Sequence, residues 1–130
     1  MIVDTSALVA IAMSEPEAER FVISIESIER PRISAVNALE LTMVLESASR
    51  GRATGSGEQI IRDLRIAVIP ADLPQLEAAR DGFRRFGKGR HPAALNFGDC
   101  FSYALAKHTG EPLLFKGTDF DRTDILVAIY

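Results

Sequence analysis

Ile2-Val3-Asp4-Thr5-Ser6 runs two β-favouring apolar residues into an acid, then two hydroxyl residues, then the apolar run Ala7-Leu8-Val9-Ala10-Ile11-Ala12. A short buried strand that delivers a carboxylate at its C-terminal end fits an α/β enzyme, whose sites lie outside such strand ends. One acid alone carries little weight, because Asp4 beside Thr5 and Ser6 also reads as a helix cap. What matters is whether the rest of the chain brings further acids to the same edge.

The 130 residues suit a single domain, 1–130, with a core large enough to need no disulfide or structural metal. Hydrophobic residues at 47% and charged residues at 25% match an ordinary soluble globular protein. The lone Cys100 excludes an intramolecular disulfide and a cysteine-based zinc site, and it points to a reducing, cytoplasmic compartment. No stretch is long and apolar enough to span a bilayer, and no basic region precedes the first apolar run. A formal net charge of −3 argues against indiscriminate coating of nucleic acid, so any phosphate backbone must meet a local basic patch. Arg80, Arg84, Arg85, Lys88, Arg90 and His91 form one such patch, and Arg30, Arg32, Arg50 and Arg52 a sparser one. A solvated helix face with a loop accounts for these charges equally well.

Helix punctuation is frequent. Ser14-Glu15-Pro16-Glu17 reads as a capping box ahead of a helix with Phe21, Val22, Ile25 and Ile28 on one stripe. Arg32-Ile33-Ser34 reads as a short strand leading into a helix from about Ala35 to Ser49, with Gly51 beyond its end. Val36, Met43 and Val44 share a face of that helix with Glu40. A carboxylate on an apolar stripe must be neutralised, paired or metal-bound. A salt bridge to an arginine, or a place at the wet edge of the stripe, also explains Glu40.

Ser56-Gly57-Glu58-Gln59 and Asp72-Leu73-Pro74-Gln75 cap two further helices, the second with Leu76, Ala79, Phe83 and Phe86 inward. Ile66-Ala67-Val68-Ile69 between them reads as a buried strand, and Lys88 to Ala94 as a loop. Asn96 caps the next helix and sets Asp99 at its third position, where the helix N-terminus favours an anion. Completion of a capping pair explains Asp99 equally well. Gly110 stops this helix, Leu113-Leu114-Phe115 is another buried strand, and Lys116 to Asp121 a turn with two acids. Ile125 to Ile129 reads as a final strand.

Strands alternating with helices predict a three-layer α/β/α sandwich around a mainly parallel sheet. In such a sheet Asp4, Asp99 and Asp119 gather at one edge, and Glu40 reaches it from the helix after Ser34. Two carboxylates about 4 Å apart repel by roughly 1 kcal/mol in water and roughly 4 kcal/mol at an effective dielectric near 20. Four of them need protonation or a bound cation, and only Asp119 has a sequence-adjacent base, Lys116. Oxygen ligands without His or Cys select Mg²⁺ or Mn²⁺ over zinc, and such ions suit phosphate chemistry.

Four stretches carry a resemblance: Ile2 to Leu8, Ser34 to Leu41 around Glu40, Leu95 to Cys100, and Leu114 to Phe120. In this order they resemble the motifs of PIN-domain ribonucleases and, more narrowly, of VapC toxins from bacterial toxin–antitoxin pairs. The resemblance implies a PIN-like fold, a Mg²⁺- or Mn²⁺-dependent endoribonuclease leaving a 5′-phosphate, a VapB-type antitoxin that blocks the site, and a homodimer. It assigns Asp4 and Asp99 as principal metal ligands, Glu40 as a completing ligand or water-orienting group, and Asp119 as an outer or second-metal ligand. Thr5, Ser6 and Thr118 are expected to orient these groups by hydrogen bonding. Thr118 stands where the family often has Asn, with Asp121 and Asp124 as nearby acids. Arg84, Arg85, Lys88 and Arg90 are the RNA-binding candidates.

Two other readings stand beside this one. A catalytically weak PIN-like binding module would hold an antitoxin and contribute to operon repression. A phosphate-accepting receiver domain fits less well, because those domains pair adjacent acids near the first strand and Asp4 has no acidic neighbour.

Overall fold

The computed structural model describes residues 1–48 and 53–130. The expected helix end at Ser49, Gly51 beyond it, and Arg50 and Arg52 lie outside the described residues. The order of elements is β1 (Ile2–Val3), α1 (Thr5–Ala12), α2 (Ala18–Glu26), β2 (Arg32–Ser34), α3 (Ala35–Ala48), α4 (Gly57–Asp63), β3 (Ala67–Ile69), α5 (Leu73–Phe86), α6 (Phe97–Thr109) and β4 (Leu113–Leu114). A 3₁₀ turn follows at Phe120–Arg122. Among the described residues no helix is long and apolar enough to cross a membrane.

The four strands are parallel and lie in the order β3-β2-β1-β4. Successive side chains on a strand point to opposite faces. Val3, Ile33 and Leu114 accordingly pack with α1 to α4, through Leu8, Phe21, Leu41 and Ile60. Ile2, Leu113 and Phe115 pack on the other face with Ala79 and Phe86 of α5 and Tyr103 and Leu105 of α6. The result is the expected α/β/α sandwich. The chain leaves β1 toward β2 on one side, while β4 occupies the other, so the strand order reverses at β1 and opens a crevice beyond its C-terminal end.

The caps at Ser56, Asp72 and Asn96 form as expected, each side chain accepting a backbone N–H three residues on. Gly110 ends α6 at φ 68°, in the left-handed region. Ser14 departs from its expected role. It sits at φ 52° while its N–H donates to Ile11 O and the Glu15 N–H to Ala10 O. Those two bonds make Ser14 the left-handed residue that terminates α1, so α2 starts only at Ala18 and has no side-chain cap.

Other boundaries also shift. Ala67 and Val68 are exposed, because β3 is an edge strand. Ile28 lies beyond the end of α2 and is exposed. On α3, Leu41 and Leu45 face the core while Met43 is 61% exposed. The expected strand from Ile125 to Ile129 contracts to one bridge, Leu113 with Val127, held by Leu113 N–H to Leu126 O and Ala128 N–H to Leu113 O. The loop from Lys88 to Ala94 is closed on itself by Lys88 N–H to Leu95 O and Leu95 N–H to Phe86 O.

Helices α5 and α6 meet where Gly82 leaves room for the Tyr103 ring. A Cβ on Gly82 would stand 2.5 Å from Tyr103 Cδ1, far inside contact distance. Gly82→Ala therefore combines a helix-propensity gain of about 1 kcal/mol with overpacking of about 1–3 kcal/mol. We expect net destabilisation in urea unfolding, and an Ala variant as stable as wild type would contradict this packing.

Candidate active site

The crevice beyond β1 has a volume of about 480 Å³, and Asp4, Glu40, Asp99, Thr5, Ser6 and Lys116 are among its lining residues. Asp4 follows β1 directly and caps α1, its Oδ2 accepting the Ser6 N–H at 2.9 Å and the Ser6 hydroxyl at 2.6 Å. Its Oδ1 accepts the Ser102 hydroxyl at 2.5 Å. The residue is only 3% exposed. Ser6 Oγ also accepts the Lys116 N–H at 3.0 Å, which ties the turn after β4 to the same carboxylate.

Glu40 is held by a second cluster. Thr5 Oγ1 donates to Glu40 Oε2 at 2.5 Å, and Asn37 Nδ2 donates to the same oxygen at 3.2 Å. Asn37 Nδ2 also reaches Thr5 Oγ1 at 3.2 Å and Gly98 O at 3.1 Å, joining α1, α3 and α6. Its Oδ1 is buried without a partner. Gly98 lies directly under the Glu40 carboxylate, which a Cβ there would displace.

Asp99 completes a capping box with Asn96. Its N–H donates to Asn96 Oδ1 at 3.0 Å, and its Oδ2 accepts the Asn96 N–H at 2.8 Å. Burial pushes its carboxyl up from 3.8 to about 7; the Asn96 N–H pulls it down, and the charges of Asp4, Asp119 and Glu40 push it up. The capping explanation and the acidic-edge explanation for Asp99 are thus both correct. Asp119 sits on the exposed turn after β4, outside the crevice lining but within electrostatic reach of Asp99. Thr118 is exposed, with no side-chain hydrogen bond to the acids among the described residues. Thr5 and Ser6, by contrast, do bond the carboxylates as expected.

The bases go elsewhere. Lys116 pairs with Glu15 and Glu17 rather than with Asp119. Arg85 is clasped by Asp81 at 3.2 Å and Asp124 at 2.8 Å. Asp124 also takes Lys107 and the Tyr103 hydroxyl, which fixes it far from any ligand role. Arg32 pairs with Glu111 at 2.8 Å. Among the described residues no salt bridge engages Asp4, Glu40, Asp99 or Asp119.

Sequence reading missed Asn37 and Ser102, although each had a signal. Asn37 precedes Glu40 by one helical turn and Ser102 follows Asp99 by one, so each shares a face with an acid.

Whether a divalent cation fits is decided by the donors. All are hard oxygens, and among the described residues Asp99 Oδ1 has no protein donor and no salt bridge engages the acids; this set suits Mg²⁺ or Mn²⁺. Among the described residues no three acidic, His or Cys groups are already drawn together as ligands. The carboxylates instead rest on hydroxyl and amide donors.

A carboxyl raised in the folded state binds a proton that the unfolded chain has lost, so the contribution of Asp99 to cation-free stability is fully present at low pH and is lost as pH rises from 3.8 to about 7. Thermal melting across this range should show wild type losing stability relative to Asp99→Asn as pH rises. Mn²⁺ should reverse the fall above pH 7. Equal slopes in both proteins would contradict the assignment.

The sequence pattern of the PIN domain family matches residues 1–126. The chain is 47% identical over 127 residues to "VapC ribonuclease Mb0640" of Mycobacterium bovis, covering 96% of this chain and 95% of that one. It is 44% identical over 125 residues to "Ribonuclease VapC" of Mycolicibacterium smegmatis, covering 96% and 97%. Among solved structures, a "Toxin-antitoxin complex from Klebsiella pneumoniae" superposes with a TM-score of 0.71 at 17% identity, covering 99% of this chain and 97% of that one, a likeness of fold. The oxygen-lined crevice at the strand-order reversal lies within the matched span, and the chain belongs to the PIN-domain family, among its VapC members.

Proposed function

We propose that the protein is a Mg²⁺- or Mn²⁺-dependent endoribonuclease toxin, neutralised by a cognate VapB-type antitoxin. The observation that carries this reading is the crevice itself. It brings Asp4, Glu40 and Asp99 to one edge with Asp119 in electrostatic reach and, among the described residues, no salt bridge to any of them, in a chain whose relatives are named ribonucleases. A divalent cation held there by Asp4, Glu40 and Asp99 would neutralise charge on the scissile phosphate and lower the pKa of the attacking water.

The chain's own part is positioning. Ser102 and Ser6 fix the Asp4 carboxylate, so that one oxygen-rich wall is set before substrate arrives. Thr5 and Asn37 restrain Glu40 Oε2, which leaves Oε1 as the oxygen able to hold or orient a water. Asp99, pinned through Oδ2 by its own helix cap, offers Oδ1 to the cation. Asp119, on the exposed turn, would join as an outer or second-ion ligand.

The antitoxin partner is supported by the toxin–antitoxin complex among the structural neighbours. A homodimer belongs to the same reading, and exposed Leu39 and Met43 on α3 are apolar surface available to a second copy. A cytoplasmic site of action accords with an RNA substrate and a single thiol, buried Cys100.

Purified protein incubated with total RNA and Mn²⁺ should generate new ends carrying 5′-phosphates. EDTA should stop the reaction, and Asp4→Asn and Asp99→Asn should each lower it at least about 100-fold, in line with the loss of a positioned catalytic group, with circular dichroism unchanged. Undiminished cleavage in EDTA, or in both variants, would sink the proposal. Antitoxin binding with no cleavage under any condition would instead identify a binding module.

A further inference from the structure

We propose that the groove between α5 and α6 is a nucleobase-stacking subsite that holds single-stranded RNA beside the acidic crevice. The inference rests on the ribonuclease reading and adds where the substrate lies. The groove has a volume of about 520 Å³, with Leu76, Phe83, Leu95, Phe97 and Phe101 as its main apolar walls. Phe97, the first residue of α6, is 74% exposed, an unusual place for so large an apolar ring. It is propped edge-on against Phe101, with ring centroids 5.4 Å apart, so the platform is ordered though uncovered.

Two features favour RNA as the occupant. The groove is continuous with the proposed catalytic site, because Asn96 lines both the groove and the crevice, and its side chain caps the helix that carries Asp99. The residues around these apolar walls include the bases Lys88 and Arg80, the latter already paired with Glu77. Arg90 lies over the Phe83 ring at 4.9 Å, and Arg84 follows Arg80 by one helical turn. Aromatic platforms inside a basic groove hold single strands by stacking bases while the cations track phosphates. The basic patch read from the sequence is thereby divided: Lys88 and Arg90 belong with the groove, whereas Arg80 pairs with Glu77 and Arg85 is committed to Asp81 and Asp124.

The chain contains no tryptophan, so Phe97→Trp introduces a sole indole at the platform. In EDTA, with RNA integrity checked on a gel, a single-stranded oligoadenylate should quench that emission saturably, and an RNA duplex should not. Fluorescence anisotropy of labelled oligoadenylate should show Kd weakened on the order of tenfold by Phe97→Ala and Phe97→Leu, and retained by Phe97→Tyr. In cleavage assays Phe97→Leu should raise KM with little change in kcat, at unchanged melting temperature. Binding without quenching, or Leu and Ala variants that bind like wild type, would overturn the subsite while leaving the ribonuclease reading intact. Emission that shifts with protein concentration in the absence of RNA would overturn it in favour of a second copy of the chain. Quenching by RNA in a protein that never cleaves would support the subsite and count against the enzyme. If oligoadenylate neither binds nor quenches, the subsite falls, and the cleavage assay judges the enzyme separately.

Discussion

A carboxylate buried at the centre of the sheet's edge must be compensated, since an uncompensated buried charge costs several kcal/mol. Asp4 meets this demand with the Ser6 N–H, the Ser6 hydroxyl and the Ser102 hydroxyl. These bonds join β1, α1 and α6, and Ser6 Oγ extends them to the turn after β4 through the Lys116 N–H. The elements that carry the other acids are therefore set relative to Asp4. A parallel cluster of Thr5, Asn37 and the Gly98 carbonyl does the same for Glu40. Function and folding share one network here, because the donors that make a buried carboxylate tolerable also aim it.

Among the described residues Asp4, Glu40, Asp99 and Asp119 have no salt bridge. Several other carboxylates do: Asp124 with Arg85 and Lys107, Glu111 with Arg32, and Glu15, itself at the crevice wall, and Glu17 with Lys116. Those pairs join distant parts of the chain, as when Lys116 on the turn after β4 meets the segment before α2. Lys116 lines the crevice, yet its charge is spent on Glu15 and Glu17, leaving the crevice acids to hydroxyl and amide donors. Hydrogen bonds from neutral donors orient a carboxylate without cancelling its charge, and the Asp99 carboxyl, raised chiefly by burial, is raised further by the charges of Asp4, Asp119 and Glu40. The divalent cation proposed for the crevice would answer that imbalance.

Much of this could be read from the sequence, for physical reasons that differ by element. Ser56, Asp72, Asn96 and Gly110 were legible because capping depends on local backbone geometry and a side chain within reach. Ser14 misled for the same reason: two helix ends compete for one short connection, and the left-handed stop of α1 prevailed over the cap of α2. Helix α3 shows the limit of periodicity, since one stripe of apolar residues faces the core at Leu41 and Leu45 while Met43 and Leu39 on adjoining stripes stay exposed. Phe83 and Phe97 look like core residues by type but lie on the surface, and only packing reveals it. The convergence of Asp4, Glu40 and Asp99 followed from parallel topology, whereas Ser102, 98 positions from its partner Asp4, required the fold.

The proposed function requires the crevice to receive a divalent cation on Asp4 and its neighbours. Binding of Mn²⁺ followed by electron paramagnetic resonance, through loss of the free-ion signal in protein without RNA, tests it directly. Wild-type protein should remove Mn²⁺ from solution saturably, Mg²⁺ should compete, and Asp4→Asn should weaken binding about 10- to 100-fold. Equal Mn²⁺ uptake by Asp4→Asn and wild type, or none by either, would contradict the account.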